Sequence, residues 1–183
     1  MIPIFDFHVR RRLEGAEERI VLSDDDVVII EGLHGLNPLL TQLVGEDKVT
    51  RIFASVRSRF TDHDRVILTP QDVRLMRRMV RDCSTRNTRP EETMAMWEEV
   101  CEGESEYINP YRDSATFKLD TTLDYEPNIF HSYLLPFLDR TDIAPEHYRK
   151  IDDLYQRLDE FFDINDVDAI PADSVIREFI GKK

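Results

Sequence analysis

The sequence has few of the residues that staple or metallate a small protein. Only two of its 183 residues are cysteines, Cys83 and Cys101, and neither has a second cysteine or a histidine at metal-ligand spacing. That excludes a disulfide framework and a thiolate metal site, and both side chains read as reduced thiols in a cytoplasmic protein. The five histidines include no pair at i, i+4 and no HExxH, so a zinc-hydrolase centre is excluded too. Apolar runs stop at four or five residues, too short to span a bilayer. No charged-then-apolar leader stands before residue 10. There is no GxSxG, hence no sign of a nucleophilic serine. The six glycines are Gly15, Gly32, Gly35, Gly45, Gly103 and Gly181, and none completes GxxxxGK[ST]. The chain therefore lacks a glycine-rich backbone cradle for a triphosphate.

Positive charge is the other scarcity. Lys plus Arg is 24 against 37 Asp plus Glu, a net charge of −13. Backbone phosphates would repel such a chain, which argues against general nucleic-acid binding. A focused basic pocket for a small anionic ligand remains compatible. One stretch reverses the sign, Asp72-Val-Arg-Leu-Met-Arg-Arg-Met-Val-Arg-Asp-Cys-Ser-Thr-Arg-Asn-Thr-Arg89. On a helix at about 100° per residue, Arg74, Arg77, Arg78 and Arg81 fall within an arc roughly 100° wide. Leu75, Met76, Met79, Val80 and Cys83 fall on the opposite side. Such a helix packs its apolar stripe on a core and presents guanidiniums on the other face. Two readings of that face stand side by side: planar, always-charged donors for phosphate oxygens, or a solvated face paired with nearby acids.

Along the rest of the chain, Ile2 to Phe7 reads as a short extended segment, with Arg10 to Gly15 as a hairpin turn and Arg19 to Leu22 as the return strand. Val27 to Ile30 is an unbroken β-branched run and predicts a strand buried on both faces of a parallel sheet. It ends in Glu31-Gly32. An acid at the carboxyl edge of such a sheet either orients a metal-bound water or is a charged turn residue. Asn37-Pro38 opens a short helix, residues 50–56 read as a second strand, and residues 61–69 as a polar loop. Thr69-Pro70 caps the arginine helix, and a further helix follows from Pro90 with Met94, Trp97 and Cys101 facing the core. After a polar connection from Glu102 to Asp113, residues 115–119 give a third strand. Residues 126–138 and 146–162 give amphipathic helices, and the tail 170–181 a short helix capped by Asp173 or Ser174. The alternation argues for an α/β domain with a mostly parallel sheet, and the length and apolar content suffice for one domain burying about 70% of its unfolded surface.

Four segments, in this order, resemble the uridine kinase branch of the phosphoribulokinase/uridine kinase family. They are Pro3-Ile-Phe-Asp-Phe7; Val27-Val-Ile-Ile-Glu-Gly-Leu-His-Gly-Leu-Asn-Pro38; Asp72-x-Arg-Leu-x-Arg-Arg-x-x-Arg-Asp82 with Arg86; and Ile170-Pro-x-x-Ser-x-Ile-Arg-Glu-Phe-Ile-Gly181. The resemblance implies a P-loop-kinase-like α/β fold truncated at its N-terminus. It covers a single domain over 1–183, with residues 1–140 as sheet and lid region and 141–183 as a helical extension. It implies ATP- and Mg²⁺-dependent phosphoryl transfer to the 5′-hydroxyl of uridine or cytidine. Asp6 would hold the ribose hydroxyls, flanked by Phe5 and Phe7, with His34 and Arg86 as further substrate contacts. Glu31 would lie in the second shell of Mg²⁺. Arg78 and Arg81 would be the catalytic lid arginines, within a phosphate-binding set of Arg74, Arg77, Arg78 and Arg81. Thr88 stands where many uridine kinases have a lid arginine, and Phe5 replaces the commoner tyrosine.

Family members carry the P-loop, and an aspartate acting as base, upstream of the segment that Pro3 to Phe7 matches. The chain alone is therefore expected not to turn over, and its expected protein partner is either a second copy in a homo-oligomer or the missing N-terminal segment in trans. In this fold the P-loop strand lies between the strand ending at Glu31 and the strand at 50–56. Those two strands are therefore expected to pair directly, or to have another chain fill the gap. The alternative function is a non-catalytic module binding a nucleotide or phosphorylated metabolite. The expected partner is a nucleoside or nucleotide small molecule, with no nucleic acid and no membrane.

Overall fold

The computed structural model describes residues 2–6, 11–138 and 145–181. The chain divides into two compact units, Met1–Gly35 and Leu36–Lys183.

In the first unit β1 (Ile2–Asp6) pairs antiparallel with β2 (Arg11–Glu18). Asp6 stands opposite Arg11 and Phe5 opposite Arg12. The register then shifts, so that Pro3 meets Glu17 and Ile2 meets Glu18. Gly15, at φ +72°, lies in this irregularity, where a bulge needs a residue that tolerates the left-handed region. The return strand is thus the arginine-bearing segment itself and not Arg19 to Leu22, which lies outside any strand. Opposite charges across the ladder, Asp6 against Arg11, favour this register. Phe7, expected beside the ribose site, lies outside the described residues, as do His8 to Arg10.

The strand expected at Val27 to Ile30 does not form. The run is irregular and solvated, with Val27 86% and Ile29 89% exposed. The run joins no ladder among the described strands, which corrects the direct strand pairing expected for it. The physical reason is that β-branching favours an extended backbone, but a strand also needs a neighbour's amides and carbonyls. No described strand offers them to these residues.

The second unit contains β3 (Ile52–Ser55), β4 (Phe60–Asp62), β5 (Arg65–Leu68), α1 (Pro70–Thr85), α2 (Pro90–Tyr107), β6 (Phe117–Asp120), α3 (Glu126–Leu138), α4 (Pro145–Leu158) and α5 (Ile176–Ile180). β3 and β6 run parallel, Ile52 opposite Phe117 through Ser55 opposite Asp120. The intervening crossover is long, as parallel pairing requires, and carries α1 and α2. The result is a mixed α/β architecture with parallel strands and flanking helices, in agreement with the alternating pattern; the parallel part is two strands wide. Residues 61–69 are not a loop but most of an antiparallel hairpin. Thr61 faces Val66, Asp62 faces Arg65, and His63 turns the chain at φ +50°. Its exposed polar residues give the segment a loop-like composition, while Ile67 and Leu68 at the end of β5 are both buried. The connection expected from Glu102 to Asp113 is also more regular than its composition suggests. α2 continues to Tyr107, and a 3₁₀ turn covers Asn109–Ser114.

α1 is the pivot of the core. Its Val73, Met76 and Met79 are fully buried with Ile129, Phe130 and Leu134 of α3, Ile151 and Leu154 of α4, and Ile176 of α5. Elements on both sides of residue 140 therefore share one apolar core. No helix among the described residues is long and apolar enough to cross a membrane.

Candidate functional site

α1 is held at its start by a reciprocal cap. The Thr69 hydroxyl accepts from the Asp72 amide (3.2 Å), and the Asp72 carboxylate accepts from the Thr69 amide (2.8 Å). Asp72 also takes two hydrogen bonds from Arg157 of α4, at 2.9 and 3.2 Å. Burial alone would raise the Asp72 pKa, but the bonds from Arg157 and Thr69 outweigh it and hold the carboxyl below its ordinary value.

The four arginines of the expected arc do not share one solvated face. Arg74 is paired with Glu104 of α2 and lies over the Trp97 ring, 5.8 Å from its centroid. Arg77 is buried: its Nε and Nη2 each donate to a Glu126 oxygen at 2.6 Å, Nη1 donates to the Thr121 hydroxyl, and Nη2 also reaches the Thr121 carbonyl. The Phe179 ring of α5 covers this guanidinium at 5.2 Å. The fork of Arg77 is closed on protein, because Glu126, fully buried, needs a cation. The helical period places Arg77 beside Arg78 and Arg81, but α3 and the β6–α3 connection pack over its side of α1.

Arg78 and Arg81 converge elsewhere, with Arg86, on Asp82. Arg78 Nε lies 3.4 Å from one carboxylate oxygen of Asp82, Arg81 Nε lies 3.7 Å from the other, and Arg86 Nη1 donates to that second oxygen at 3.1 Å. Asp82 is 2% exposed and also accepts from the Thr93 hydroxyl of α2 at 3.3 Å. The helix ends here because Asn87 enters the left-handed region at φ +52°, which asparagine tolerates. The amides of Arg86 and Thr88 then return to the Asp82 carbonyl at 3.1 and 3.0 Å. Three guanidiniums thus surround one carboxylate and leave an excess of positive charge. Buried Arg78 Nε and Arg81 Nε have no hydrogen-bond acceptor, whereas buried donors are ordinarily satisfied. This cluster is chemically suited to a multiply charged oxyanion.

The remaining expected site residues belong to the first unit. Asp6 is half-buried at the end of β1. Phe5 lies on the same strand with its Cα opposite that of Arg12. Glu31 and His34 are exposed, and His34 sits in a tight turn closed by the Gly35 amide on the Gly32 carbonyl at 2.9 Å. For a divalent cation, no three His, Cys, Asp or Glu side chains come together among the described residues. The donor set described does not by itself fit Mg²⁺. The polyphosphate part of a nucleotide fits the donors at Arg78, Arg81 and Arg86.

One residue escaped the sequence reading. Asp120 ends β6 at the carboxyl edge of the parallel pair and accepts from the amides of Arg57 and Thr122 (both 3.0 Å) and the hydroxyls of Ser58 (2.6 Å) and Thr122 (2.5 Å). Burial opposes ionisation of this carboxyl, yet these bonds hold its pKa far below the usual carboxylate range. The available signal was Asp120-x-Thr122 at a strand end, the pattern of a side chain capping its own turn.

A model described as the phosphoribulokinase/uridine kinase family matches residues 1–124. Curated proteins named uridine kinase, from Ureaplasma parvum serovar 3 and Ureaplasma urealyticum serovar 10, are 27% identical over 115 residues, covering 62% of this chain and 46% of each relative. The matched part is thus about half the length of those relatives. No solved structure matches the chain significantly.

Proposed function

The chain belongs to the phosphoribulokinase/uridine kinase family, and on that premise we propose that it supplies the nucleoside-facing and lid parts of a pyrimidine nucleoside kinase in the cytoplasm. The reaction is transfer of the terminal phosphoryl of ATP to the 5′-hydroxyl of uridine or cytidine. Phosphoryl transfer depends mainly on positioning and charge neutralisation, and the observation that carries the reading is the convergence of Arg78, Arg81 and Arg86. In this reading Arg78 and Arg81 take the oxygens of the transferring group, and Arg86 takes the neighbouring phosphate. Arg74 and Arg77, engaged by Glu104 and Glu126, set the attitude of the helix. Asp6 accepts hydrogen bonds from the ribose hydroxyls, with Phe5, Phe7 and His34 around the nucleoside.

The sequence contains no GxxxxGK[ST], so this chain by itself is proposed to bind without turning over. That motif would come from a segment in trans. Calorimetry with uridine, UMP, UDP and ATP, beside a turnover assay, tests the reading. Nucleoside binding without turnover supports it. Robust turnover would mean that a phosphate cradle exists among these residues in another form. The second reading, a non-catalytic module for phosphorylated metabolites, draws on the same arginine cluster, and binding of polyanions irrespective of the nucleoside would favour it.

A further inference from the structure

We infer that Asp82 is a positioning residue, a buried counter-ion that gathers Arg78, Arg81 and Arg86 into one polyphosphate-binding cluster. The inference rests on the reading of those arginines given above. A carboxylate beside an anion site is at first sight a defect, since it repels the ligand. Its surroundings give the opposite sense. Asp82 is 2% exposed, it is held from α2 by the Thr93 hydroxyl, and its own carbonyl anchors the turn that brings Arg86 back. Without the carboxylate, three like charges would face one another across a few ångströms, and the long side chains would separate into solvent.

The form of the contacts also matters. Arg77 closes a two-pronged fork on Glu126 and has no comparable donors left. Arg78 and Arg81 meet Asp82 through Nε at 3.4 and 3.7 Å, and those nitrogens have no hydrogen-bond acceptor. The carboxylate therefore acts on these two side chains as a Coulombic tether and does not close their forks. The Nε atoms stay buried on the Asp82 side, and a phosphate can take the Nη donors of these part-exposed side chains without dismantling a prior fork. The cost of repulsion by one charge is offset when the arginines are already assembled, as pre-organisation lowers the entropy lost on binding.

The test is calorimetric titration of the purified chain with inorganic tripolyphosphate. Asp82→Asn keeps the shape and removes the charge. Simple repulsion predicts tighter binding for D82N. Positioning predicts affinity lower by about tenfold, the scale of one charge-assisted contact, with D82E, which keeps the charge, recovering most of it. Affinity in D82N equal to or above that of the unmodified chain overturns the inference. Should D82N melt below the assay temperature, Thr93→Val replaces it. Loss of the hydroxyl that fixes the carboxylate is expected to weaken binding about threefold, and unchanged affinity there overturns the inference equally. The paired variant R78A/R81A separates this inference from the reading beneath it. If that variant binds tripolyphosphate as well as the unmodified chain, or if the unmodified chain does not bind it, the phosphate role of the arginines fails. If R78A/R81A loses binding and D82N does not, only the role of Asp82 fails.

Discussion

Arg77 of α1 and Glu126 of α3 form a two-pronged ion pair in the interior, with Nε and Nη2 each 2.6 Å from a carboxylate oxygen and Glu126 fully buried. The pair joins the arginine helix to the start of α3, and through Thr121 to the end of the parallel strand β6. A charge pair out of water contributes less than its Coulomb energy, because desolvation opposes it. Removing one partner is costly, since the other is then left charged and alone.

Glu126→Gln is therefore expected to destabilise the second unit by about 3–5 kcal/mol, read from urea or thermal unfolding. The double variant R77M/E126L removes both charges and is expected to recover most of that loss. A single-variant effect under about 1 kcal/mol, the range of exposed pairs, would show that the pair is solvated in solution.

Asp72 gives the protein an acid limb. Its carboxyl is held below the ordinary value of 3.8 by Arg157 and Thr69 acting against burial. A depressed carboxylate contributes stability that is fully present above the unfolded-state value and is lost as pH falls through the native one. Unfolding free energy is expected to fall as pH drops below about 4, and the fall should be shallower in Asp72→Asn. Thr69→Ala, which removes one half of the cap, is expected to cost about 1 kcal/mol at neutral pH.

Val27 to Ile30 is an apolar run in solvent, with Ile29 89% exposed. Such a run templates strand pairing between molecules. Ile29→Lys is expected to reduce self-association in light scattering at matched concentration. It should leave the unfolding free energy nearly unchanged, within about 0.5 kcal/mol, because an exposed residue has little packing to lose. A large loss of stability would place Ile29 in a packed environment instead.

Asp6 is assigned the ribose hydroxyls in the proposed function. Asp6→Asn is expected to weaken uridine binding by about 1.5–3 kcal/mol, the range for a hydrogen bond to a charged group, with tripolyphosphate binding unaltered. Equal uridine affinity in calorimetry would remove Asp6 from the nucleoside site.

Much of the second unit is legible in the sequence. The apolar spacing of Val73, Met76 and Met79 and the Thr69-Pro70 cap marked α1, and strand-like composition marked β3 and β6. Those signals are local, written in helical or strand periods within a few residues of one another. Two misreadings came from the same kind of rule applied where neighbours decide. Val27 to Ile30 has strand composition without a ladder, and residues 60–68 form a hairpin beneath a loop-like composition.

The sequence by itself determined where charge reverses, which helix carries the arginines, and that no glycine-rich phosphate cradle lies within these residues, because composition and periodicity are properties of neighbouring residues. Only the tertiary structure decided the fate of each arginine. Glu104 reaches Arg74 from α2, Glu126 closes on Arg77 from α3, and Asp82 draws Arg78, Arg81 and Arg86 together. Acids dozens of residues away reach Arg74 and Arg77, and a charge is engaged or available according to what packs against it, which a helical period does not record.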